Sequence, residues 1–272
     1  MLLSAPAQEA VAEKSNITTV KVGDKPIGIA YNPKNNLVYV ANSGSNTVSV
    51  IDGNNKQIQS ILVGNTPTGI AYNPKNNLVY VANSGSNTVS VINCSVNKQL
   101  ASISLEHANL PIAITYNLDN SYMYVVNQYS NTLSVINSTD NKQIQSIILS
   151  NNKTMTVPKA IAISYNPVNG AIYIVNRGLN NVYAINPFTN DVMASINVGD
   201  SPNAIANDPI HGTVYVVSEG QNSVYLIGST TNRVTQDPIS VGSDPVNVAV
   251  NPLSKTAYVT NSNSSSISVI DS

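Results

Sequence analysis

The stretch IGIAYNPKNNLVYVANSGSNTVSVI at residues 27–51 returns at residues 68–92 as TGIAYNPKNNLVYVANSGSNTVSVI, with Ile27 against Thr68 the one difference. Duplication over this length makes the chain a tandem array, and looser copies continue beyond it. A proline opens each unit, at Pro26, Pro67, Pro111, Pro158, Pro202 and Pro245, so the period runs from 41 to 47 residues. Arrays of that period are propellers or helical solenoids. The units are dense in Val, Ile, Thr and Tyr and interrupted by Asn, Gly and Pro, a composition that favours strands and breaks helices. In the first unit this predicts strands over 26–31, 37–41, 47–51 and 57–63, separated by turns rich in Asn, Gly and Ser at 32–36, 42–46 and 52–55. Four strands in about 42 residues make one propeller blade.

The sixth unit holds strand-like runs at 246–250, 256–260 and 267–270 but no fourth. Residues 17–22, Ile-Thr-Thr-Val-Lys-Val, precede the first proline and read as a fourth strand without a blade. The expected architecture is therefore all-β: a six-bladed β-propeller of four-stranded antiparallel blades, its last blade closed by the N-terminal strand. Closure removes the open edges that invite aggregation. Residues 17–272 form this single domain, and residues 1–16 are an N-terminal tail. The tail carries Ala5-Pro6-Ala7, the small-residue spacing of a signal-peptidase site, without the apolar core of a signal peptide. A signal-peptide remnant and a plain tail both fit it.

Charged residues are only 10% of the chain and the net charge is -1, so solubility rests on neutral Asn, Ser and Thr, and phosphate-backbone binding lacks its cationic footprint. Nucleic acid is disfavoured on that ground. The single cysteine, Cys94, cannot form an intrachain disulfide. No run of 18 apolar residues exists to span a bilayer.

The second strand of each unit carries a motif: Tyr39-Val40-Ala41-Asn42, Tyr80-Val81-Ala82-Asn83, Tyr124-Val125-Val126-Asn127, Tyr173-Ile174-Val175-Asn176 and Tyr258-Val259-Thr260-Asn261. The fifth unit departs from it with Tyr215-Val216-Val217-Ser218. Together with Ser-Val-Ile in the third strand at 49–51, 90–92, 134–136 and 268–270, these residues resemble the YVTN β-propeller repeat of archaeal surface-layer and bacterial exported proteins. The resemblance covers residues 17–272 and implies an extracellular or cell-surface module, akin to WD40-like repeats, whose signature is architectural. It implies no activity and no cofactor.

A residue repeated in every blade serves what every blade needs. Asn42, Asn83, Asn127, Asn176 and Asn261 are accordingly expected to be structural turn residues, bonding backbone groups and adopting left-handed dihedrals between the second and third strands. Specific chemistry belongs where blades differ. On the face that carries the loops entering each blade and the turns after each second strand, the departures are Glu106, His107, Tyr129, Arg177 and Glu219, with a longer insertion at 150–157. These five are the candidate binding residues, expected near the channel mouth. His107 beside Glu106 has the chemistry of a general base, but a solvated loop accounts for it better. His211 falls in a turn of the opposite face, so the two histidines cannot share a metal, and no metal is expected. No Gly-x-Ser-x-Gly nucleophile elbow or phosphate loop occurs.

The expected function is a non-catalytic, monomeric interaction scaffold at the cell surface or exported, binding a protein or cell-envelope component. Two alternatives stay open: a small-molecule enzyme of the lyase or lactone-hydrolase type at the channel mouth, and a glycan-binding surface protein.

Overall fold

The computed structural model describes residues 17–149 and 160–271. The tail at 1–16 and the insertion at 150–157 lie outside the described residues. Six antiparallel sheets follow one another along the chain. The first is β1 (Pro26–Asn32), β2 (Leu37–Asn42), β3 (Thr47–Ile51) and β4 (Gln57–Leu62). The second is β5 (Pro67–Asn73), β6 (Leu78–Asn83), β7 (Thr88–Asn93) and β8 (Lys98–Ser104), and the third β9 (Pro111–Asn117), β10 (Tyr122–Asn127), β11 (Thr132–Asn137) and β12 (Lys142–Ile148). The fourth holds β13 (Ala160–Tyr165), β14 (Ile172–Asn176), β15 (Asn181–Ile185) and β16 (Val192–Asn197). In the fifth, β17 (Pro202–Asn207), β18 (Thr213–Ser218) and β19 (Ser223–Gly228) are followed by a split fourth strand, β20 (Arg233–Val234) and β21 (Ile239–Ser240), both paired to β19. Pro238, which has no backbone N–H to donate, lies in the break. The sixth sheet is β22 (Pro245–Asn251), β23 (Thr256–Asn261) and β24 (Ser266–Asp271).

Successive first strands pack against each other, β1 on β5, β5 on β9, β9 on β13, β13 on β17 and β17 on β22, which places them around the middle and the fourth strands on the perimeter. Register corrects one sequence assignment. Ala160 pairs with Asn176 as Pro26 pairs with Asn42, so Ala160, not Pro158, holds the opening position of the fourth blade.

Each turn has its own chemistry. At the first turn, Asn32, Asn73, Asn117, Asn166, Asp208 and Asn251 each accept, through the side-chain oxygen, the backbone N–H two residues on. Such Asx turns nucleate the hairpin without help from the rest of the fold. Left-handed dihedrals fall elsewhere, mostly on asparagines that close the turns: Asn36, Asn46 and Asn55 in blade one, Asn77, Asn87 and Asn97 in blade two. Asn tolerates that region better than other residues with a Cβ, which explains the Asn content.

The signature asparagines behave differently from expectation. Asn42, Asn83, Asn127, Asn176 and Asn261 have no positive φ and are buried at the ends of their strands. Asn42 donates to Thr47 Oγ1 and Ser49 Oγ on the neighbouring strand, and Asn83, Asn127 and Asn261 repeat the pair of bonds. They lock the second strand to the third through hydroxyls, not through turn backbone. Blade four carries Asn181 and Tyr183 where the others carry hydroxyls, so Asn176 instead donates to Asn131 of blade three.

The signature tyrosines latch blade to blade. Tyr39, Tyr80, Tyr124 and Tyr173 are 0% exposed. Their hydroxyls donate to the left-handed asparagines Asn97, Asn141, Asn190 and Asn232 of the next blade at 2.7, 2.6, 2.9 and 2.6 Å. Burial pushes the phenols of Tyr80 and Tyr124 up to about 12, so they remain donors at neutral pH. A second bond joins the blades at the other end. Asn46, Asn87, Asn180 and Asn222 accept the backbone N–H of Thr66, Leu110, Ser201 and Asp244, each in the loop entering the following blade.

Between the last and first blades the pattern stops. Residues 17–22 form no strand, and β24 pairs with β23 alone among the described residues. The expected pairing of 17–22 with the last blade is not among the strands formed.

Candidate functional site

The five departures from the repeat fall into three places. Arg177, in the turn after β14, meets Glu219, in the short 3-10 turn after β18, with Nη2 3.0 Å from Oε2. The same Oε2 accepts Nδ2 of Asn203 at 3.2 Å, and that Nδ2 also donates to the carbonyl of Pro245 at 2.9 Å. One polar cluster thus ties blades four, five and six beside the innermost strand β17. The ion pair is about a third exposed at both ends and stabilises the fold by about 0–1 kcal/mol. Its groups remain within reach of a ligand.

Glu106 and His107 lie elsewhere. In the loop between β8 and β9, Glu106 exchanges backbone bonds with the side chain of Gln143 on the perimeter strand β12. His107 sits in the left-handed region and borders a depression of about 340 Å³ lined by Ser130, Thr132, Ser146 and Ile148. That depression opens on the rim, since Ser146 and Ile148 belong to β12. Tyr129, 58% exposed, stands in the turn after β10, its backbone N–H held by Asn109. The structure brings Arg177 and Glu219 together and leaves Glu106, His107 and Tyr129 apart from them.

Asn203 escaped the sequence reading although its signal was present. The second position of the first strand reads Ile27, Thr68, Ile112, Ile161, Asn203 and Val246 through the six blades, so a long amide appears there once. Asn203 Oδ1 is enclosed without a partner.

Other groups with reactive potential are occupied by structure. Cys94 is buried, and burial pushes its thiol up, away from the thiolate needed for nucleophilic attack. No group of three or more His, Cys, Asp or Glu that could hold a metal occurs among the described residues. None of their helices is long and apolar enough to cross a membrane.

His211 belongs to a turn lock on the far face. Its Nδ1 lies 2.8 Å from Oδ2 of Asp208, which is 1% exposed. Burial alone would raise the Asp208 carboxyl, but the backbone N–H groups of His211 and Ile210 and the His211 ring hold it below its ordinary value. A depressed carboxylate adds stability above its unfolded pKa of about 4 and loses it as pH falls. Asp208→Asn is expected to fold, because asparagine holds this position in the other five blades. It should flatten the fall in Tm between about pH 5 and pH 3 relative to wild type. Parallel Tm curves for the two proteins would contradict the assignment.

Comparison with known proteins agrees with this architecture. The NHL repeat profile matches residues 24–51 and 65–92, the two near-identical units. The fold is a repeat β-propeller. Among solved structures, Kuenenia stuttgartiensis hydrazine synthase superposes with a TM-score of 0.76 at 20% identity, over 91% of this chain and 83% of that one. In all, 1547 chains match significantly, so the fold by itself selects no activity. No curated protein matches at a significant level.

Proposed function

We propose that this propeller is a non-catalytic interaction scaffold of the YVTN type, working at the cell surface or after export, and that its partner docks on the face formed by blades four and five. The observation that carries the reading is the Arg177–Glu219–Asn203 cluster. It is assembled from residues that depart from the repeat, bridges separate blades, and keeps charged and amide groups partly exposed beside the innermost strand. A surface made of repeated residues would be presented several times over, whereas one made of departures is unique. Short turns elsewhere leave little room for a dedicated catalytic cavity.

Arg177→Ala is expected to weaken partner binding by more than about 1 kcal/mol, and Tyr129→Ala by a similar amount if the contact extends to blade three. Ser45→Ala, in a duplicated turn, should leave it unchanged. The partner is recovered from native cell envelope on the immobilised protein, and each variant is then titrated against it. Equal and negligible effects at all three positions would place the binding surface on the opposite face or the perimeter.

The depression at His107 supports a second, small-molecule reading. A compound that raises the Tm of wild type but not of His107→Ala would favour it.

A further inference from the structure

The face opposite the Arg177–Glu219 cluster is built from the first and third turns of the blades, and hydrogen bonds stitch those turns into one platform. Asn117 Nδ2 donates to the carbonyl of Gly170 at 3.1 Å and Asn166 Nδ2 to that of Gly212 at 2.9 Å, which joins the first turns of blades three, four and five. Asn120 Nδ2 donates to the carbonyl of Pro187 at 2.8 Å and ties the third turn of blade four to the same group.

The side chains that leave this platform are apolar over blades three to six. Two residues after the Asx acceptor, the first turns carry Lys34, Lys75, Asp119, Val168, Ile210 and Leu253. The third turn of blade four carries Phe188, the one phenylalanine of the chain, at the equivalent place after Asn186. Val168 is 49% exposed, Ile210 54%, Phe188 78% and Leu253 88%. A proline precedes each of these four, and an Asx bond holds the backbone N–H of each. The tips are therefore fixed before any contact is made, so little backbone entropy is lost when they are covered. Polar turn residues separate them, which leaves isolated points and not a continuous patch.

Cations stand among the points. Lys34 and Lys75 take the tip position in blades one and two, and Lys56, Lys98, Lys142 and Arg233 follow left-handed asparagines of the third turns. With Lys255 they make seven, against six carboxylates. Three of the six, Asp52, Asp208 and Asp271, already accept hydrogen bonds within their own blades; the others are Asp119, Asp140 and Asp191. The charge is reversed on the opposite face, where the described loops carry Lys25 and Arg177 against Asp24, Glu106, Asp200, Glu219 and Asp244.

We propose that the turn face rests on an anionic phospholipid surface, with Val168, Phe188, Ile210 and Leu253 entering at headgroup level and the lysines beside lipid phosphates. A fluid interface closes around each rigid point separately, whereas a protein partner would need a matching pit for every one. The apolar tips supply buried area and the lysines long-range attraction, a combination that holds a protein to a membrane without spanning it. This docking is independent of the Arg177–Glu219 cluster, which it leaves on the side away from the lipid.

Flotation of the full chain with vesicles is the test, using phosphatidylcholine alone and phosphatidylcholine mixed with an equal part of phosphatidylglycerol. Wild type should float with the mixed vesicles and far less with the neutral ones. Phe188→Ser combined with Leu253→Ser should lower the partition at least about tenfold, with Tm unchanged because both side chains are solvent-exposed. Lys34→Gln combined with Lys142→Gln should lower it about tenfold on the mixed vesicles. Leu62→Ser, which removes a similarly exposed leucine from the perimeter strand β4, should leave it unchanged. The chain has no tryptophan, so Phe188→Trp places a single reporter at a tip, and its emission should shift to the blue when mixed vesicles are added. A wild type that stays in solution with both preparations, binding that ignores lipid charge or survives the Phe188 and Leu253 changes, or an emission that does not move would overturn the proposal. So would self-association of wild type that those two changes abolish while no vesicle is bound, since the face would then join two copies of the chain.

Discussion

Tyr124→Ala is expected to destabilise the protein by about 3–5 kcal/mol, the range for removing a large side chain from a packed interior. The ring is 0% exposed between blades three and four, where it packs with Leu133, Val135, Ile172, Ile174 and Ile185. Its hydroxyl also donates to Asn190 Oδ1 at 2.9 Å. Truncation therefore opens a cavity and strands a buried acceptor together. Tyr124→Phe keeps the ring and should cost only about 1–2 kcal/mol. Chemical denaturation of the three proteins checks the order, and equal costs for Phe and Ala would mean that the cavity contributes nothing.

The second large effect is steric. Gly69 lies in β5 where it meets β9, and a Cβ built there would stand 2.7 Å from the carbonyl oxygen of Ile112 and 2.9 Å from the Cα of Ala113. These are backbone atoms, which cannot rotate aside. Gly69→Val must push blade three away from blade two, at a cost of at least about 1–3 kcal/mol. Blade three itself carries Ala113 at the corresponding position, so the restriction follows the local spacing of blades, not the repeat as such. Position 113 already accepts a Cβ, so Ala113→Val should cost less. Melting temperatures of the two variants, measured side by side, check the ranking, and equal losses would contradict it.

Much of the architecture is legible in the residues because the interactions that make a blade are local. Strand limits follow from β-branched runs cut by Asn-Pro, Asn-Ser-Gly and Asp-Gly turns, and β1 to β4 fall within one residue of the limits that pattern predicts. The signature residues were less legible. Their structural character follows from repetition, but the partners of Asn42 and its equivalents are hydroxyls on an adjacent strand, and the partners of Tyr39 and its equivalents lie in another blade. The first contact keeps one short spacing inside a hairpin, where repetition alone does not say which side chains meet, whereas the second exists only once the blades are placed. The site was legible only as a set of departures. That Arg177 meets Glu219 while His107 is carried to the rim depends on where turns of different blades project, which no single repeat encodes.

The tyrosine of the signature acts as a latch between blades. A double-mutant cycle on Tyr124→Phe and Asn190→Ala tests it most directly, by measuring unfolding free energy for both single variants and the double variant. A coupling energy of about 1 kcal/mol is expected, because each single change already removes the bond that joins blades three and four. Strictly additive losses would contradict it, since the two side chains would then hold their blades independently.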